Sequence, residues 1–243
     1  MNEVIGLLER HRSIRKFNDQ PVEESVVKRL IKSGQHGASS SFLQAYSVIR
    51  VSDSEKRKQL ASWCGDQQHI VEAPLFFVFC GDMHRLQLAC DMQGVKMKQG
   101  MTEQLIIASV DTAILGQNVL IAAESLGLGG VYVGAIRNRP REVSDLLKLP
   151  SYVFPVFGMS LGYPAHDPQL KPRLPLPLVL MEETYQQNTE LLKDYDAAFE
   201  DYIKNRYTNR RNETWTKTVS RKLGNELRPH MRKFLREQGY ELK

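Results

Sequence analysis

Residues 102–138 read TEQLIIASVDTAILGQNVLIAAESLGLGGVYVGAIRN, and the reading of this stretch decides the fold. Thr102 suits a helix N-cap and Gly127 a helix stop. Gly116 is the only Gly or Pro between them, so the expectation is one helix of about 24 residues, ~36 Å long. Leu105, Ile106, Ile107, Val110, Ile114, Leu115, Val119, Leu120, Ile121 and Leu126 spread too widely for a single apolar stripe. A helix apolar on nearly every side is buried on most of them. Glu103, Asp111, Gln117, Asn118 and Glu124 interrupt it, which argues against a membrane span. GLGG then turns the chain into VYVGAI, whose β-branched character predicts a buried strand at 130–136.

Working outward, LFFVFC at 75–80 lies between Pro74 and Gly81 and predicts a strand buried on both faces. Further strands are expected at 46–51 and 154–161. Helices are expected near the N-terminus, at 22–33 with Gly34 and Gly37 as stops, at 53–63 behind Asp53, and at 140–148 behind Pro140. Two more are expected at 188–206 and 214–237. Residues 82–101 predict a short helix and loops. The five prolines between Tyr163 and Leu180 make a stiff, extended tract, either a surface linker or an arm reaching a partner subunit. Strands alternate with helices, so the class mixes α and β.

The 243 residues suffice for a sizeable core without staples. Cys64, Cys80 and Cys90 form no CxxC and leave an odd one out, which argues against a disulfide framework and for a reducing compartment. MNEVIGLLERHRS lacks the apolar run of a signal peptide, and the expected location is cytoplasmic. The net charge of +5 is concentrated: 203–233 holds ten Lys or Arg against Glu213 and Glu226. Such an excess attracts anions. A solvated helical face, nucleic acid and a phosphate-bearing small molecule are the three readings.

GLGGVYVG resembles a dinucleotide fingerprint in the wrong order, because the helix precedes the strand. HRSIR sets His11, Arg12, Ser13 and Arg15 within five residues, a combination that recognises phosphate or a pyrimidine-like edge. KPR at 171–173 adds two cations and Ser39–Ser41 add hydroxyls, but spacing does not show whether these places meet. The six histidines make no HExxH or comparable metal pair. There is no GxSxG and no P-loop. An enzyme with this sequence would need a cofactor to carry its chemistry.

HRSIRKF, SSSFLQ, GLGGVYVG, VFGMSLGYP and KPRLP occur in the order and spacing of the nitroreductase superfamily, and the whole chain resembles its oxygen-insensitive NADPH nitroreductases and NADPH–FMN flavin reductases. The resemblance implies an α+β homodimer with a mostly antiparallel central sheet, FMN at the subunit interface and the long helix at the dimer contact. It implies one nitroreductase-like domain, with 163–243 as an arm and helices wrapping the partner. By motif match, His11, Lys171 and Arg173 would hold the FMN phosphate, and Arg12 and Ser13 the phosphate and ribityl chain. Arg15 would sit at the flavin N1/O2 edge. Ser39, Gln67, Gln68 and His69 match further flavin contacts, and Tyr132, Val133, Gly134 and Ala135 would run past the ring. Ala135 stands where the family usually has a second Gly, so its Cβ could restrict the backbone there. Glu103 and Arg228 match active-site positions, and Arg206 and Arg211 match those holding the NADPH 2′-phosphate. The implied activity is ping-pong, two-electron reduction of nitroaromatics and quinones by NADPH. Supply of free reduced FMN is the alternative within that class, and a non-catalytic flavin- or NADPH-binding sensor the alternative outside it. Neither nucleic acid nor a membrane is expected as a partner.

Overall fold

The computed structural model describes residues 2–243. Helices α1 (Glu3–Glu9) and α2 (Glu24–Gln35) precede strand β1 (Tyr46–Arg50). Helix α3 (Ser54–Trp63) and the single turn α4 (His69–Glu72) lead to β2 (Leu75–Asp82) and α5 (His84–Met92). Then come α6 (Thr102–Ser125), β3 (Gly129–Val133), α7 (Pro140–Leu147) and β4 (Val153–Gly162). Helices α8 (Thr189–Asn205), α9 (Trp215–Leu223) and α10 (Met231–Glu237) follow. The chain separates into two compact units. One comprises the residues up to Asp167 with His230–Lys243, the other Pro168–Pro229.

In the first unit the strands form one antiparallel sheet in the order β1-β2-β4-β3, and the α+β class stands. β2 is buried at every position because the sheet has a core on each face. Alternate side chains point oppositely along a strand. Leu75, Phe77 and Phe79 therefore enter the cluster with Leu30, Leu115, Val119 and Leu120, while Phe76, Val78 and Cys80 join Leu60, Ile70, Ile136 and Val143. Each buried Phe contributes ~1.5–3 kcal/mol relative to exposure. A third cluster gathers Ala45, Ala108 and Phe154 with Phe234, Leu235 and Tyr240 of the C-terminal segment.

Helix α6 has the expected length, with two differences. Met101 is its N-cap, and Thr102 is already helical. The Thr102 amide and hydroxyl both donate to the Lys243 carbonyl, at 3.2 and 2.9 Å, so the chain end occupies them instead. Nor is the helix buried on most sides. Ala108, Asp111, Thr112, Leu115, Gly116, Val119, Leu120 and Ala123 make one buried stripe at helical spacing, while Ile106 and Val110 are about half exposed. α6 is the one helix among the described residues long and apolar enough to cross a membrane. Its buried stripe carries Asp111 and Thr112 and packs on α2 and the sheet. Gly127, at φ +78°, ends it in the left-handed conformation that glycine favours.

Three other expectations change. Gly34 does not stop α2 but lies inside it, and a Cβ there would come 2.6 Å from Val119 Cγ2. Its role is the close approach of α2 to α6. The strand after GLGG ends at Val133, its last partner on β4 being Gly158, and 134–138 form a 3₁₀ turn. The helix expected over 214–237 breaks into α9 and α10. Gly224 caps α9, and Arg228, at φ +55° before Pro229, cannot continue a helix.

The second unit has a small core of Tyr195, Phe199 and Ile203 with Leu174, Tyr202 and Trp215. The Tyr195 hydroxyl donates to the Pro172 carbonyl at 3.0 Å, which ties the proline tract to α8.

Candidate active site

HRSIR is fixed by backbone pairing. Ser13 bridges Gly130 in parallel, and the Ile14 amide donates to the Gly130 carbonyl at 2.9 Å. Ile14 is buried against Gly129, where a Cβ would lie 2.4 Å from Ile14 Cγ1. The glycines of GLGG thus let the basic segment lie against β3, and they make no phosphate loop. His11 Nδ1 is 2.6 Å from Glu124 Oε1, near the C-terminal end of α6. Arg12 grips Asp167 through Nε at 2.8 Å and Nη2 at 2.6 Å.

His69 is buried, and burial together with the neighbouring Arg15 charge lowers its pKa from 6.5 to about 4. At neutral pH it carries one proton. Gln67 Nε2 donates to the Cys64 carbonyl at 2.8 Å, which turns Gln67 Oε1 towards His69 Nε2 at 2.9 Å. That oxygen only accepts, so the proton belongs on Nε2. The Ser160 hydroxyl donates to the His69 carbonyl at 2.9 Å and lies 3.0 Å from Nδ1. Arg15 therefore stands beside a locked, uncharged imidazole. Gln68 heads the same turn as the residue before His69.

Tyr132 leaves β3 with its hydroxyl on Gln117 Oε1 at 3.2 Å and its ring 4.8 Å from that of Phe157. Burial and the Glu124 carboxylate push its phenol pKa up. Val133 is buried, and Gly134 and Ala135 open the 3₁₀ turn. The first amides of such a turn have no acceptor within it. Neither residue has a positive φ, so a Cβ at Ala135 meets no torsional penalty. A Cβ at Gly134 would meet nothing nearer than Arg137 Nη2 at 3.6 Å.

The first unit thus groups His11, Arg12 and Ser13 along the start of β3, and sets Arg15 near His69, which Gln67 holds. It does not bring Glu103 to His11. Glu103 opens α6 and Glu124 lies 21 residues on, so the two ends are about 30 Å apart. Ser39 precedes a 3₁₀ turn that Asp111 holds from mid-helix. In the second unit Arg173 is close enough for its charge to act on Tyr195, and Lys171 shares its segment. Arg206 Nε donates to the Asn209 carbonyl at 3.0 Å, and Arg211 Nε is 2.6 Å from Glu213 Oε2. Arg228 lies at the end of that unit.

Residues 8–163 match the model of the nitroreductase family, and 171–243 that of its C-terminal domain. The chain belongs to the nitroreductase family. The chain is 46% identical over 242 residues to the oxygen-insensitive NADPH nitroreductase of Salmonella typhimurium, covering 99% of each chain. It is 41% identical over 241 residues to the NADPH-flavin oxidoreductase of Vibrio harveyi, covering 98% of each. Among solved structures, nitroreductase A from Vibrio parahaemolyticus superposes with a TM-score of 0.94 at 40% identity, over 100% of both chains. NADPH:FMN oxidoreductase from Vibrio harveyi, complexed with NAD+, gives 0.91 at 39% identity, again over 100% of both.

Sequence reasoning missed Ser160, Glu124, Asp111 and Glu213 as supports of these groups. Asp111 and Glu124 were visible as carboxylates in an apolar helix. Ser160 lies inside an apolar strand and gave no signal.

Proposed function

We propose that this protein is an FMN-dependent oxidoreductase that uses NADPH for two-electron reduction of nitroaromatics and quinones. The observation that carries the reading is the pairing of HRSIR with Gly130, which lines cations along one strand and leaves Arg15 beside a neutral His69. The names of the two relatives, one an NADPH nitroreductase and the other an NADPH-flavin oxidoreductase, support it.

The residues fit the flavin. Arg12, Lys171 and Arg173 are assigned as the cations for its phosphate, with His11 and Ser13 as hydrogen-bonding groups. Arg15 supplies fixed positive charge for the pyrimidine edge, where negative charge grows on reduction. His69, being uncharged, adds no repulsion to Arg15, and Gln67 and Ser160 hold it still. The amides of Gly134 and Ala135 offer donors at the end of β3, and Ser39, Gln68, Tyr132 and Val133 are assigned to further flavin contacts. FMN supplies the two-electron chemistry when bound. Arg206 and Arg211 are assigned to the 2′-phosphate of NADPH, and Glu103 and Arg228 to the substrate side. The acceptor takes its proton from water. The order is ping-pong, NADP⁺ leaving before the acceptor enters.

The working unit is a cytoplasmic homodimer. Val4, Ile5 and Leu8 of α1 and Ile106 and Val110 of α6 are exposed apolar residues of the first unit. The ~30 Å between Glu103 and Glu124 exceeds the length of an FMN, so a site using both ends of α6 draws one of them from a second copy. Leu170, Leu176, Val179 and Leu180 leave the proline tract with apolar surface for the same partner. The odd number of cysteines, three, fits a reducing compartment.

Purified protein should be yellow, bleach on anaerobic addition of NADPH, and recolour with a nitroaromatic or quinone. A flavin that NADPH leaves oxidised would sink the enzyme reading and favour the sensor. Recolouring by free FMN alone would select the flavin-reductase form.

A further inference from the structure

Arg57, beside Leu60 and Ala61 on the inner face of α3, is charged yet only 7% exposed. Its Nε donates to the Val51 carbonyl at 2.7 Å. Nη1 donates to the Ala73 carbonyl at 2.5 Å and to that of Val71 at 3.4 Å, and Nη2 to that of Pro74 at 3.4 Å. These partners are all backbone oxygens and, among the described residues, include no carboxylate. Burial, and after it the charge of Arg50, lowers the Arg57 pKa from the ordinary guanidinium range. A buried cation without a counter-ion is costly, and here the carbonyl groups offset that cost.

The four carbonyls mark one junction. Val51 follows β1, and its amide donates to the Phe76 carbonyl of β2 at 2.9 Å. Val71, Ala73 and Pro74 run from α4 into β2. α4 has four residues, too few to persist as an isolated helix, and the carbonyls at its C-terminal end have no helical partner. Those of Val71 and Ala73 end on Arg57. A guanidinium can reach several acceptors from one rigid plane, so Arg57 pins the end of α4 to the end of β1. Gln67, Gln68 and His69 stand at the other end of this turn. The charge that acts on His69 is that of Arg15, so Arg57 reaches the imidazole through the backbone it holds.

We propose that Arg57 is a positioning residue of the flavin site, setting where Gln67, Gln68 and His69 stand by gripping the carbonyls at the far end of their turn. The proposal rests on the assignment of those three residues to the flavin. It goes beyond that assignment by placing control of the turn in a side chain that touches no cofactor.

The test is a double-mutant cycle on FMN affinity. Release of FMN from the full-length holoprotein on dilution, followed by the rise in flavin fluorescence, gives Kd for the parent, Arg57→Met, Gln67→Ala and the double variant. Each single change should raise Kd about tenfold. The double variant should fall well short of the ~100-fold product, because both changes loosen the same turn. The absorption bands of the bound flavin should shift in Arg57→Met as they do in Gln67→Ala. Gly34→Ala, weakened at the contact of α2 with α6, controls for lost stability and should keep the parent's bands, with Kd within about twofold. Should Arg57→Met not fold, Arg57→Lys, which keeps one donor nitrogen, takes its place with a rise of about threefold. If Gln67→Ala raises Kd and the Arg57 variant does not, or if the two effects multiply, Arg57 does not position the turn while the flavin assignment stands. If Gln67→Ala leaves Kd unchanged, the assignment of this turn to the flavin fails and takes the proposal with it.

Discussion

Asp111 is the perturbation that most directly tests how the fold supports the proposed site. It is 1% exposed and accepts from the Ser40 amide at 2.9 Å and the Ala45 amide at 3.1 Å. The loop between those amides holds Ser41, Phe42 and Gln44 at φ of 47°, 57° and 55°. Left-handed backbone at a residue with a side chain costs about 1 kcal/mol or more each, so the loop persists only where something offsets that cost. Asp111→Asn keeps one acceptor and turns an NH₂ towards the other amide. It loses one charge-assisted bond and leaves a buried N–H unpaired, together roughly 2–4 kcal/mol. For a chain of this size each kcal/mol is worth about 2–4 °C, so the expected fall in Tm is roughly 5–15 °C. The assay is a circular-dichroism melt at fixed protein and FMN concentration, because a bound ligand or partner shifts Tm by mass action. FMN retention should fall as well, since Ser39 heads the loop. A variant melting within about 1 °C of the parent would refute the claim that these two bonds hold the loop.

Gly34→Ala sets a Cβ 2.6 Å from Val119 Cγ2 and 3.1 Å from the Leu115 carbonyl, so it should cost ~1–3 kcal/mol by urea denaturation despite its better helix propensity. His69 binds its proton less readily when folded, at about 4 against 6.5. Between those values the unfolded chain holds more protons, so this contribution to stability is full above about pH 6.5 and is lost as pH falls towards about 4. Melting curves from pH 7 to 4.5 should therefore fall more steeply for the parent than for His69→Gln; parallel curves would remove the buried neutral imidazole.

The sequence by itself determined most of the secondary structure and the family. The length of α6, the Asp53 and Pro140 helix starts and the doubly buried β2 were legible because helical spacing, caps and uninterrupted apolar runs are local signals. HRSIR and KPRLP were legible as motifs, but not the contact of HRSIR with Gly130, since a pairing across 117 residues leaves no periodic trace. Where local signals competed with packing they misled. Gly34 looked like a stop and is a contact, and Thr102 looked like a cap whose donors the distant Lys243 carbonyl takes. Tertiary structure alone decided which face of α6 is buried, because an all-round apolar sequence does not say which side meets the sheet. It decided that Ser160 and Gln67 hold the His69 ring in place, and that Glu213 draws Arg211 and Arg221 together. In α6, then, the sequence set the helix and its length. Packing set the buried stripe, Asp111 as the loop anchor, and the exposed Ile106 and Val110 assigned above to a second copy.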